Sequence, residues 1–155
     1  MTTTNHTLFD EEQWLKLIFF LGDTAKWIDE QQRLLFQLVP VNGSEKLHRK
    51  TFYLSAAAFA HIIERHYYKI QRHPCTAKFT IPVIDILTCL RDSSSLPSEI
   101  VTGTINLQRI LDANQIIGYD RLGQNTSVVT VITDPGGNII TAFPGLIVNP
   151  QIPLP

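Results

Sequence analysis

The clearest hydrophobic periodicity lies in residues 56–69, AAAFAHIIERHYYK, where Ala56, Phe59, Ala60, Ile63 and Tyr67 recur at spacings of 3, 1, 3 and 4. That is one face of an amphipathic helix, and Ser55 stands where an N-cap is favoured. Residues 10–21, DEEQWLKLIFFL, show the same period through Trp14, Leu17, Ile18 and Leu21. Asp10, Glu11 and Glu12 suit the positive end of the helix dipole, and Gly22 is expected to end the helix. Residues 24–32 predict a second short helix. Residues 33–41 and 47–54 read as strands around Asn42-Gly43-Ser44, a hairpin signal, with Pro40 marking an edge. Residues 83–91 read as a helix started by Pro82.

Beyond the polar loop at Asp92–Ser98 the pattern turns strand-like, over 100–104, 115–119, 126–133 and 138–143. Asp120-Arg121-Leu122-Gly123 and Asp134-Pro135-Gly136-Gly137 are turns by composition. TSVVTVIT and NIITAF around the second turn make a hairpin. The order is helices and a hairpin, then a helical pair, then a C-terminal antiparallel sheet. This is an α+β layout and not an alternating βαβ chain. A single domain is expected over 1–155, with a helical and hairpin part at 1–54, a core at 55–145 and an extended Pro-rich tail at 146–155.

Length permits a sizeable core in 155 residues. Cys75 and Cys89 read as thiols of a reducing compartment. Met1–Phe9 has neither a basic n-region nor an apolar h-region, so no signal peptide is expected. The longest apolar run, Leu17–Leu21, is far short of a membrane span, so no membrane partner is expected and the cytoplasm is the default location. GxGxxG and GxxxxGK[ST] are both absent, which disfavours dinucleotide and P-loop enzymes.

The net charge of −1 excludes a uniformly basic nucleic-acid binder, but the charge is polarised. Residues 1–40 carry six acids against three bases, whereas 46–78 carry seven bases (Lys46, Arg49, Lys50, Arg65, Lys69, Arg72 and Lys78) against one acid, Glu64. Four of the five histidines, His48, His61, His66 and His73, fall in the same basic segment. Histidines among cations suit general acid–base chemistry on a phosphate ester, with salt-sensitive binding of the polyanion. His48 fits an exposed strand position. His61 lies near the apolar stripe of its helix, as a core histidine would. His66, five positions on, is offset by about 140°. His73 sits in an irregular connection, where functional residues concentrate. No metal site is expected, because HExxH and CxxC are absent, and no cofactor is implied. In the C-terminal strand Thr141 and Phe143 share a face, as a hydroxyl and a ring suited either to a nucleotide or to plain sheet packing.

Phe59-Ala60-His61-Ile62, Arg72-His73 and VITDPGGNIITAFPG together resemble the bacterial EndoU-like ribonucleases of the barnase–EndoU–colicin–RelE group. The resemblance spans about residues 55 to 145. It implies an α+β fold whose antiparallel sheet cradles the site. It also implies metal-independent RNA cleavage by transesterification to a 2′,3′-cyclic phosphate. By motif, His61 and His73 match the two family histidines, with His66 as the alternative first one. Thr141 matches the terminal hydroxyl residue. Phe143 stands where the family has tyrosine, which keeps a ring and loses a hydroxyl. The family lysine has no motif-matched counterpart. Lys78 and Arg121 are candidate cations, and Arg65 is a further candidate for substrate binding.

Members of this group occur as toxin domains, which implies RNA, tRNA first, as substrate and a cognate immunity protein as partner. Delivery into a target cell's cytoplasm would follow for a toxin, while the start methionine fits a stand-alone protein. The competing expectation is an inactive RNA-binding or protein-interaction module of the same fold, and a third is a metal-dependent hydrolase using His61, His66 and His73.

Overall fold

The computed structural model describes residues 10–36 and 52–147. The chain is α+β, as its hydrophobic pattern predicts. Among the described residues three helices, α1 (Glu11–Phe36), α2 (Ala56–His66) and α3 (Val83–Ser93), accompany seven strands. Strands β2 (Glu99–Ile100), β3 (Leu107–Asp112), β6 (Val128–Thr133) and β7 (Ile139–Pro144) form an antiparallel sheet in the order β2-β3-β6-β7. Strands β1 (Lys78–Phe79), β4 (Gly118–Tyr119) and β5 (Asn125–Thr126) form a small second sheet in the order β1-β4-β5.

The first difference from the sequence reading is α1. It does not stop at Gly22 but continues to Phe36, so the expected short helix at 24–32 is part of it and residues 33–36 are helical, not strand. Gly22 is there for space. A Cβ on it would lie 2.4 Å from the Ala60 Cβ and 3.3 Å from the Ala56 carbonyl oxygen, so the glycine is where α1 and α2 touch. Gly22→Leu should therefore force the helices apart. The overlap, ~1–3 kcal/mol, outweighs the ~1 kcal/mol gained in helix propensity. The expected result is a lower urea midpoint with an unchanged slope. The remainder of the expected hairpin, with its Asn42-Gly43-Ser44 turn, and the tail from 148 onward lie outside the described residues.

Helix α2 begins as expected, with the Ser55 hydroxyl accepting from the Ala58 amide at 3.0 Å. It ends at His66, three residues earlier than its period predicts. Tyr67 turns extended and bridges to Phe79, so tertiary pairing overrides the helical pattern. Helix α3 starts at Val83, with Pro82 as the capping residue before it. The Asp134–Gly137 hairpin is present, joining β6 to β7, and the Asn138 amide is held by the Asp134 carboxylate at 2.9 Å. Strand β3 was not expected. Its residues, LQRILD, are only half-buried or exposed and lack a clean alternation, yet they pair along their whole length with β6.

The core lies between the β3–β6–β7 sheet and the helices. Ile62, Ile63 and Phe59 of α2 meet Val129, Val131 and Ala142 of the sheet, together with Phe79, Ile86, Leu90 and Ile117. Because α1 covers one side of α2 and β7 the other, α2 is buried over a wide arc.

Candidate active site

The wide burial of α2 decides where its histidines go. The sequence places His61 near the apolar stripe, but the structure leaves His61 exposed and buries His66, 7% accessible, in its place. Ile62 and Ile63 share the inner arc with His66, and His61 falls on the far side of the helix. The helical period alone accounts for this, since His61 stands about 160° round the helix from Ile63, whereas His66 stands about 60° from it.

His66 is held by two contacts. Its Nδ1 lies 2.9 Å from the Ala77 carbonyl oxygen. A carbonyl only accepts, so Nδ1 carries the proton and Nε2 the lone pair when the ring is neutral. Its ring also packs on Phe143, with centroids 5.7 Å apart and planes at 40°. Burial pushes the His66 pKa down to about 4, helped by the charges of Arg65, His61 and Lys78 and opposed by the Ala77 hydrogen bond. The ring is therefore neutral at pH 7. Burial, then the Arg65 charge, also lowers the pKa of His61. Glu64 acts in the opposite sense, and the neighbouring His73 adds to the depression.

The connection from α2 to β1 is pinned onto the helix end. The Thr76 hydroxyl lies 2.8 Å from the Arg65 carbonyl and 2.9 Å from the His73 carbonyl. Arg72 reaches back to Glu64 at 3.1 Å and lies over the Phe19 ring at 6.0 Å. Thus the one acid of the segment is engaged by a base. Half-buried His73 is carried to a fixed place beside α2. Thr76 is a positioning residue the sequence reading missed. Only a hydroxyl within reach of an unsatisfied helix-end carbonyl could have signalled it.

Lys78, a candidate cation for the substrate, is buried, 3% accessible. Its ammonium donates to the carbonyls of Arg65 at 2.7 Å and Ile70 at 3.2 Å, so it ties down the end of α2 with two of its three protons. Burial, then Arg65, lowers its pKa. Gly118 opposite makes room for this strand, since a Cβ there would lie 2.2 Å from the Lys78 carbonyl oxygen.

Thr141 and Phe143 lie on one face of β7, across from Ile132 and Thr130 of β6. The Thr141 hydroxyl oxygen is buried and has no hydrogen-bond partner among the described residues. A buried polar atom left unpaired costs about 1–3 kcal/mol. Such an atom marks a place where an added ligand group is favoured. Arg121 is not brought to this cluster. It is exposed in the Asp120–Gly123 turn, where the Asp120 carboxylate accepts from the Leu122 and Gln124 amides at 2.9 and 3.0 Å. There it lines a separate cavity of about 280 Å³ with Leu122, Gly145 and Ile147.

The structure thus brings Arg65, His66, His73 and Lys78 together at the end of α2 and sets Phe143 against His66, while His61 lies on the outer face of the helix. Among the described residues no group of three His, Cys, Asp or Glu side chains is placed to hold a metal ion. Both cysteines are free thiols, Cys75 exposed and Cys89 buried. No described helix is long and apolar enough to cross a membrane. A cavity of about 710 Å³ lies elsewhere, between α1, α2 and α3, and is lined by Trp14, Ile18, Phe59, Tyr67, Ile84 and Leu87 among others. At its rim Glu11 accepts from the Tyr67 hydroxyl and pairs with Lys69 at 2.5 Å, which joins α1 to the segment after α2. Comparison with protein-family models, with curated proteins and with solved structures returned no match.

Proposed function

We propose that the chain is a metal-independent endoribonuclease that cleaves RNA by transesterification, with tRNA as substrate. The observation that favours this reading is the clustering of His66, His73, Arg65 and Lys78 where the segment after α2 folds back on the helix end, with His61 on the outer face of the same helix and Glu64 paired with Arg72. Such a site attracts a phosphodiester and offers it imidazole side chains, which suit general acid–base chemistry.

RNA cleavage of this kind needs a base for the 2′-hydroxyl and an acid for the departing 5′-oxygen. The accessible pair, His61 and His73, takes these roles. Charge that accumulates on the phosphorus centre is met by Arg65, exposed next to His61, while Thr141, which shares a face of β7 with Phe143, belongs with the His66 assignment below. A second assignment within the same reaction replaces His61 with His66. The fixed tautomer of His66 leaves Nε2 free to accept a proton, and His66 is the histidine that touches Phe143. Unstacked loop bases are the usual targets of sequence-specific RNA recognition, so an anticodon loop is the expected cleavage site. The site of action is the cytoplasm, the cell's own or a target cell's, with an immunity protein as partner in the toxin case.

Two features favour an inactive relative that binds RNA or protein. Phe143 has no hydroxyl and spends a ring face on His66, and Lys78 is tied to backbone carbonyls. Incubating the chain with total tRNA in EDTA separates the readings, since the enzyme cuts under these conditions and the inactive module does not.

A further inference from the structure

Helix α1 is apolar on two opposite sides. Leu15, Ile18, Phe19 and Gly22 face the core. On the far side Leu21 and Ile28 stand seven residues apart, as do Phe20 and Trp27, with Leu17 and Thr24 between them, and Trp14, seven before Leu21, stands at the margin, where it also lines the cavity against α2 and α3. These seven positions follow the a, d and g sites of a heptad, which is the period of a seam between paired helices. The seam is open. Trp14 is 47% accessible, Phe20 68%, Leu21 45%, Trp27 61% and Ile28 43%. A helix apolar all round is ordinarily buried on all sides.

We propose that a second copy of this chain covers this face, α1 packing against α1 in a homodimer. Three observations favour that occupant. The stripe from Trp14 to Ile28 runs straight for about 21 Å, at 1.5 Å per residue. Among the described residues only α1 is long enough to match it, since α2 and α3 have 11 residues each and are packed into the body. The heptad spacing matches a like helix and not a sheet or a loop. The area also suffices. With large apolar side chains at roughly 150–250 Å² each, the five exposed ones offer on the order of 500 Å² per copy. A pair then buries ~1,000 Å², which is the size at which specific interfaces begin. Thr24, the polar member of the seam, is no obstacle to packing, because its hydroxyl donates to the Phe20 carbonyl of its own helix at 2.9 Å.

The dimer is independent of the ribonuclease reading, and its test needs no RNA. Sedimentation equilibrium of the full chain at about 1 to 100 µM, the range where micromolar pairing is read, is expected to show twice the chain mass at the upper end. The double variant Leu21→Glu, Ile28→Glu is expected to sediment at the single mass with an unchanged far-ultraviolet spectrum. The chain's two tryptophans both sit on the seam, so wild-type emission should move to the red on dilution through dissociation. That readout decides the matter if the double variant does not fold. Wild-type chain that stays at the single mass throughout overturns the proposal, whether the face then meets another protein, a membrane surface or a segment of its own chain. A dimer that survives both glutamates overturns it too.

Discussion

His73→Ala is expected to lower RNA cleavage by ~10²–10⁴-fold, the usual contribution of one positioned acid or base, while leaving thermal stability within a degree or two of wild type. The structural work at this position is done by the backbone, because the His73 carbonyl accepts from Thr76 and the alanine keeps that carbonyl. Loss of activity with a preserved fold would therefore report on the ring alone. Parallel measurements on His61→Ala and His66→Ala assign the partner. His61 is exposed, so its removal should cost activity and little stability. If His66→Ala is the more inactive variant after correction for its folded fraction, the base is His66 and His61 is a bystander. Cleavage by His73→Ala at the wild-type rate would remove the acid–base pair altogether.

The second large effect is acid sensitivity centred on His66. Its pKa is near 6.5 in the unfolded chain and is pushed down to about 4 in the folded one. Between those values the unfolded state binds the extra proton, so stability rises with pH across the window. It is fully present above pH ~6.5 and falls as pH drops toward 4, by ~3 kcal/mol at most from this residue. His66→Gln keeps a donor for the Ala77 carbonyl and has nothing to titrate. Urea unfolding at pH 7 and at pH 4.5 should show a large loss for wild type and a clearly smaller loss for the glutamine variant. Equal losses in both would show that His66 is not the group that senses acid.

The placement of His61 and His66 also shows how far the sequence could be read. The helix that carries them was legible in the period of Phe59, Ala60 and Ile63 and in the Ser55 cap, and the β6–β7 hairpin in Asp134-Pro135-Gly136-Gly137. How far the inner face of α2 extends was not legible, since the burial of Ile62 and His66 depends on packing against distant parts of the chain such as Phe143. The outward place of His61 needed no such knowledge, because the period sets it about 160° from Ile63. Lys78 was legible as a cation and not as a buried one, because the carbonyls that hold it, Arg65 and Ile70, belong to a helix end whose location is tertiary. Gly22 reads locally as a helix stop, yet serves as a helix contact, since only the fold places Ala60 against it. Strand β3 failed for a related reason, being recruited by β6 despite having no hydrophobic alternation of its own.

The central claim is metal-independent transesterification of RNA, and the chemistry of the products tests it most directly. Purified chain is incubated with tRNA in EDTA, and the new 3′ ends are analysed. The account predicts fragments ending in 2′,3′-cyclic phosphate, formed by wild type and lost with His73→Ala. Intact tRNA from the wild-type protein, or fragments ending in a free 3′-hydroxyl, would contradict it.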